Sequence, residues 1–351
     1  MAAAREIEGL DCRAGALEGI RLVLGTRFSE MYDLRDAALG PEDVKGVHDM
    51  RVASRRLRST LRDFRGFYDP KGLPKRRLKE VASALGDVRD QDVAIDALEE
   101  MRSQTDGAVA EGIELLVGER RAVRSAARTR LGPFIAGGAL QELQQKFLSW
   151  LEHTGGGGDD RKGARRSLAP SKVLNFRHAG VEVIESRLLE VLELSDSLNH
   201  PFVSEPLHDL RIAAKRLRYA LELFSPCWDG ALKPAAREVS ELQTALGDLR
   251  DCDTWIEDLG ARLDRRRADS GSLGASLADP RVRPAAAWLL AHYTRERGEH
   301  FGQAFARWQQ WEADGFLMRV RDVLRGAQAP HPQEPATEPD ADAALPGIAE
   351  S

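Results

Sequence analysis

Between Glu6 and Arg325 apolar residues return at three- and four-residue spacing, Ala, Leu, Arg and Glu dominate, and long alternating Val/Ile runs do not occur. A period near 3.6 predicts helices, so the expected fold class is all-α. The pattern breaks at Thr154 to Pro170, where Gly155, Gly156, Gly157 and Gly158 precede a polar, basic stretch and a proline. That composition reads as a flexible linker, 154–170, between a first helical unit at 6–153 and a second at 171–325. A shorter polar stretch, Asp269 to Pro280, is expected to join two helices of the second unit. Residues 326–351 have few large apolar groups to offset ordering entropy and read as a disordered acidic tail.

The two units repeat one another. Val47 to Phe64 (VHDMRVASRRLRSTLRDF) and Leu207 to Phe224 (LHDLRIAAKRLRYALELF) share nine of eighteen positions at an offset of 160. Ala84 to Val93 (ALGDVRDQDV) and Ala245 to Thr254 (ALGDLRDCDT) share seven of ten at an offset of 161. Two separate matches at nearly one offset imply a duplication with an approximate twofold relation.

On a helix, Met50, Ala53, Leu57, Leu61 and Phe64 fall within about 80° and form a core face. His48, Arg51, Arg55, Arg58 and Arg62 occupy a second sector about 80° wide, centred roughly 140° from the first, with no acid on it. The second copy keeps His208, Arg211, Lys215 and Arg218 but places Glu222 where Arg62 stands, so its ridge is shorter. Like-charged neighbours four apart cost an isolated helix about 0.2–0.5 kcal/mol per pair, so helix stability does not account for the ridge. An anion does, unless Asp87, Asp90 and Asp92, or Asp248, Asp251 and Asp253, neutralise it from another helix. Arg89 and Arg250 lie among those acids and would leave neutralisation incomplete.

Further cations point the same way more weakly. Arg76, Lys79, Ser83, Gly86 and Arg89 share roughly one face of the next helix; Arg237, Ser240, Thr244, Gly247 and Arg250 repeat it with less charge. Arg120, Arg124 and Arg128 recur every four residues on a later helix, and Arg295 lies in the matching region of the second unit. From His48 to Arg58 the ridge is about 15 Å long, more than one phosphate needs. Paired guanidinium donors suit phosphate oxygens, and histidine can add charge below about pH 6.5, so the spacing suits a linear polyanion.

Net charge, -5 over 351 residues, at first opposes an anionic partner. No Lys or Arg follows Arg325, however, and five acids do, which leaves the body near neutral with 51 basic residues to sort onto faces. The three cysteines (Cys12, Cys227, Cys252) are odd in number and lack CxxC spacing, implying neither a disulfide framework nor a zinc site. With no signal-like N-terminal run and no stretch of eighteen apolar residues, the expectation is a reducing, cytoplasmic location with no membrane partner.

Two copies of H-D-x-R-x-x-x-R/K-R-L-R, each followed by L-G-D-x-R-D-x-D, resemble the CHAD family, the conserved histidine α-helical domains. The likeness runs from about Glu6 to Arg325. It implies two pseudo-symmetric antiparallel four-helix bundles around a basic surface that binds inorganic polyphosphate and brings the protein to polyphosphate granules and their proteins. The family's motif positions are His48, Arg51, Arg55, Arg56 and Arg58, then His208, Arg211, Lys215, Arg216 and Arg218. Glu222 for Arg62 and Ser240 for Lys79 depart from symmetry and make the second half less basic. No partner enzymatic domain fits in the remaining residues, which suggests a stand-alone member without cofactor or catalysis.

Other classes fit less well. An RNA-backbone binder could use the ridge, but base stacking needs exposed aromatics among the cations, and the chain is 6% aromatic. A metal held by His48/Asp49 and His208/Asp209 would need adjacent positions that point about 100° apart, amid arginines that repel a cation. A metal-dependent phosphate-ester hydrolase would have to draw on Asp87, Asp90 and Asp92 or their repeats, whose spacing also fits internal ion pairs.

Overall fold

The computed structural model describes residues 4–40, 44–154, 175–264 and 279–326. Except for Thr154 and Gly326, the expected linker and tail lie outside the described residues, as does most of the stretch Asp269 to Pro280.

The described residues form eleven α-helices and no strand: α1 (Ala16–Asp33), α2 (Arg35–Leu39), α3 (Val44–Asp63), α4 (Lys75–Ser103), α5 (Gly107–Ile135), α6 (Gly138–His153), α7 (Phe176–Leu194), α8 (Ser204–Phe224), α9 (Lys233–Leu263), α10 (Arg283–Ala313) and α11 (Phe316–Gly326). Local chemistry sets several boundaries. The Asn175 side chain accepts a hydrogen bond from the His178 amide at 2.9 Å and so caps α7. Pro234 and Pro284 sit in the first turns of α9 and α10, where a missing amide costs nothing. Asp229 (φ 49°) and Gly230 (φ 84°) take left-handed conformations that turn the chain before α9.

The predicted core face is buried, Met50, Leu57 and Phe64 completely so. Phe64, ending the first repeated segment, meets Phe224, ending the second, with ring centroids 5.9 Å apart, and Phe176 of α7 lies 6.0 and 5.0 Å from them. Burying such a side chain stabilises by roughly 1.5–3 kcal/mol. Gly180 admits this packing, since a Cβ there would come within 2.7 Å of the Phe224 ring. One apolar cluster runs from Ile20 of α1 to Leu324 of α11 and includes residues of both repeat units. A second joins Leu98 and Leu116 of α4 and α5 to Leu259 and Leu289 of α9 and α10.

Cys12 and Cys227 form a disulfide, with Cα atoms 5.4 Å apart across 215 residues, while Cys252 is free and buried. This corrects the expectation that the cysteines carry no cross-link: the partners are distant in sequence and leave no spacing signal. A structural disulfide belongs to oxidising surroundings, so the cysteines no longer support a reducing location.

Candidate functional site

With the apolar stripe of α3 turned inward, its basic ridge faces α8. The charges closest to Arg211 include Arg55 and Arg51, and those around Lys215 are Arg211, Arg55, Arg216 and Arg51. Further along, Arg62 lies beside Arg216. The ridges of the two copies therefore converge. Between them lie two adjoining cavities of about 460 and 480 Å³ that share Arg51, Arg55 and Arg211 and make one groove. Arg55 Nε donates to the Tyr219 hydroxyl at 2.9 Å across it, fixing the guanidinium in place.

Burial, then neighbouring arginines, pushes the Lys215 ammonium down to about 7. The same two causes lower Arg51 and Arg211, with Asp90 and Asp251 partly offsetting them, yet a guanidinium stays charged. Among the described residues, no carboxylate pairs with Arg55, Arg58, Arg62 or Lys215. Folding thus gathers cations that repel one another and leaves an anion to neutralise them.

The two ends of the groove differ. At one, His48, Arg51, Arg89 and Arg120 mix with Asp90, Asp251, Asp258 and Trp255. At the other, Arg58, Arg62, Lys215 and Arg216 stand with Ser59, Ala82, Asp209 and Tyr219. The acids considered as neutralisers separate by burial. Asp92 and Asp253 are buried and pair with Arg124 (3.4 Å) and Arg297 (2.6 Å), away from the ridge. Exposed Asp90 pairs with Arg51 at 3.1 Å, and Asp251 faces Arg211. Gly86 is what lets Arg51 lie against α4, because a Cβ there would collide with its guanidinium. Gly247 leaves Arg211 more room, with 3.6 Å to the same hypothetical atom.

His48 lines the groove, whereas His208 does not and has a buried Nδ1 without a hydrogen-bond partner. Burial first, then Arg89 for His48 and Arg250 for His208, lowers both imidazoles below their ordinary value. The charge expected of them below about pH 6.5 is therefore displaced to lower pH.

Several candidate residues stand elsewhere. Arg56 is turned to buried Glu30 at 3.3 Å, because its position is about 100° from Arg55 on the helix. Arg216 reaches the groove but is paired with Glu190, and Arg218 is buried against Glu222 (3.3 Å) and the Tyr219 ring. Arg124 binds Asp92, and Arg128 donates to the Gly40 carbonyl at 2.8 Å, so both brace α5. Arg120 lines the groove while bonded to Asp258 at 2.6 Å. Arg76, Lys79, Arg237 and Arg295 are exposed and line neither cavity, and Arg250 stands beside His208. Trp255 and Asp258 of α9 were missed: they belong to neither conserved pattern of the repeat.

Among the described residues no three His, Cys, Asp or Glu are grouped to hold a metal, and no helix is long and apolar enough to cross a membrane. The profile of the CHAD domain matches residues 23–260. The crystal structure of the CHAD domain from the plant Ricinus communis is similar, with a TM-score of 0.65 and 20% identity over 86% of this chain and 94% of that one. PptA from Streptomyces chartreusis is similar at a TM-score of 0.59 and 17% identity, over 84% of this chain and all of that one. At such identities the likeness concerns the fold. No curated protein matches.

Proposed function

This chain belongs to the CHAD-domain family, and from that premise we propose that its groove binds inorganic polyphosphate without turning it over. The observation that carries this reading is the convergence of two ridges on a groove where Arg55, Arg58, Arg62 and Lys215 have no carboxylate partner among the described residues. From Arg51 to Arg62 the first ridge runs about 16 Å, so successive phosphates of one chain meet successive cations. We read the units at 6–153 and 171–325 as copies of one helical bundle, joined by 154–170, and granule association as the consequence of polyphosphate binding.

RNA is the weaker ligand because aromatic groups at the groove are already engaged. Trp255 stacks on Tyr293 at 5.3 Å and carries the Arg120 guanidinium at 5.3 Å, and Tyr219 accepts from Arg55. Competition of polyphosphate, RNA and heparin for the full chain at physiological salt tests the ligand: polyphosphate should win, and preference for RNA would replace this reading. Hydrolysis is opposed by the engagement of Asp90 with Arg51 and of Asp92 with Arg124. Phosphate release from polyphosphate with Mg²⁺, abolished by Asp90→Asn, would overturn the non-catalytic assignment.

A further inference from the structure

The mixed end of the groove holds groups for which a phosphate chain has no use. Asp90, Asp251 and Asp258 line it together with Val93, Ala94 and Trp255, in a cavity of about 460 Å³. Carboxylates repel phosphate oxygens, and apolar walls give them no hydrogen bond. Val93 is 41% exposed, an apolar side chain left uncovered in a basic groove. Two acceptors there also lack donors. Gln91, on the same wall, has a buried Oε1 without a hydrogen-bond partner, and the Asp251 carboxylate faces Arg211 but accepts no hydrogen bond among the described residues. Such acceptors are completed by N–H or O–H donors, which an ionised phosphate does not supply.

This end is also where the two repeat units cease to match. At the offset of 161, Trp255 and Asp258 of α9 stand where α4 has Ala94 and Ala97. A homopolymer of phosphate needs no such difference, whereas a ligand with two chemically unlike ends does. Trp255 builds a platform: it stacks on Tyr293, with ring planes 1° apart and centroids 5.3 Å apart, and it carries the Arg120 guanidinium at 5.3 Å. Asp258 holds that guanidinium at 2.6 Å and is itself bound by Arg262 at 3.2 Å, so the plane is fixed before a ligand arrives. Arg120 lines the cavity. A guanidinium plane stacks a nucleobase as an aromatic ring does, so engagement of the Trp255 ring does not remove the platform.

We propose that the mixed end of the groove is a nucleoside subsite, so that the protein takes nucleoside 5′-polyphosphates with the base on the Arg120–Trp255 stack and the phosphates on Arg51, Arg55 and Arg211. This rests on the reading of the groove as a phosphate site and adds a second ligand class to it. Base N–H groups and ribose hydroxyls supply the donors that Gln91 and Asp251 lack, and Val93 covers the apolar side of the sugar or base. A cavity of this size matches those that hold small organic ligands. Because Arg51, Arg55 and Arg211 belong to both parts of the groove, a nucleoside polyphosphate and inorganic polyphosphate exclude one another.

The test titrates ATP and tripolyphosphate, equal in phosphates and different in the nucleoside, into the full chain in magnesium-free buffer. ATP should bind about tenfold more tightly although it carries less charge. Val93→Ser, at an exposed position, should lower ATP affinity several-fold and leave tripolyphosphate binding and melting unchanged. Arg120→Lys keeps the charge but removes the plane, and should cost ATP about tenfold more affinity than it costs tripolyphosphate. Equal wild-type affinities for the two ligands, or losses of the same size for both in Arg120→Lys, or no loss for ATP in either variant, would overturn the nucleoside subsite and leave the phosphate groove standing. A wild-type chain that binds neither ligand, nor long-chain polyphosphate, would sink the polyphosphate reading itself.

Discussion

Raising the pH from 7 to 9 should weaken polyphosphate binding through one side chain, Lys215. Its ammonium, lowered first by burial and then by Arg211, Arg55, Arg216 and Arg51, loses its proton near pH 7 in the free protein, far below the ordinary 10.5. A bound polyanion offsets those arginines and returns the group toward its ordinary value, so binding between the two values takes up a proton. At pH 8 the free lysine is protonated about one time in ten, and complex formation should take up a proton, at most about 0.9. Affinity should fall by up to about tenfold per unit above pH 7, about 1.4 kcal/mol each. Stability runs the other way: the unfolded chain binds more protons across that window, so the free fold gains stability as pH rises. In the free protein burial and neighbouring arginines hold His48 and His208 below their ordinary 6.5, outside that window. Calorimetric titration at pH 8 in two buffers of different ionisation enthalpy counts the protons. Lys215→Arg should abolish the uptake and flatten the profile while keeping tight binding. A wild-type chain that takes up no proton and binds equally at pH 7 and pH 9 would refute the cation-crowding argument.

The two repeat glycines should respond differently. Gly86→Ala should displace Arg51 and lower polyphosphate affinity several-fold although alanine favours the helix by about 1 kcal/mol, whereas Gly247→Ala should leave affinity intact; titrations paired with thermal melts check both, and equal behaviour contradicts the assigned role of Gly86. Cys12→Ser/Cys227→Ser should lower stability by about 5 kcal/mol, the chain-entropy estimate for a loop of 215 residues, seen as a lower Tm that reductant reproduces in the wild type.

The helices, the repeat and the separation of a core face from a basic face were legible because each depends only on the helical period and on contacts with the same stripe. What the ridge faces was not legible, since the approach of Arg211 and Lys215 to Arg51 and Arg55 is tertiary. Arg56 and Arg216 illustrate the limit. In the motif they look like further ridge cations, but each lies one position around the helix and meets an acid distant in sequence, Glu30 or Glu190. The partition of the aspartates is similar: Asp90 and Asp92 are two residues apart, yet one is exposed beside the groove and the other buried against α5. The Cys12–Cys227 bond depends wholly on how the chain returns to its start.

On the proposed reading the convergent ridges, rather than total basicity, hold the polyanion. Its most direct test is titration of long-chain polyphosphate at physiological salt against the wild type and against Arg51→Glu/Arg55→Glu/Arg211→Glu/Lys215→Glu, with helicity and melting checked for both. The wild type should bind with a steep salt dependence and the folded variant should not bind; a folded variant with undiminished affinity would show that the ridges do not hold the polyanion.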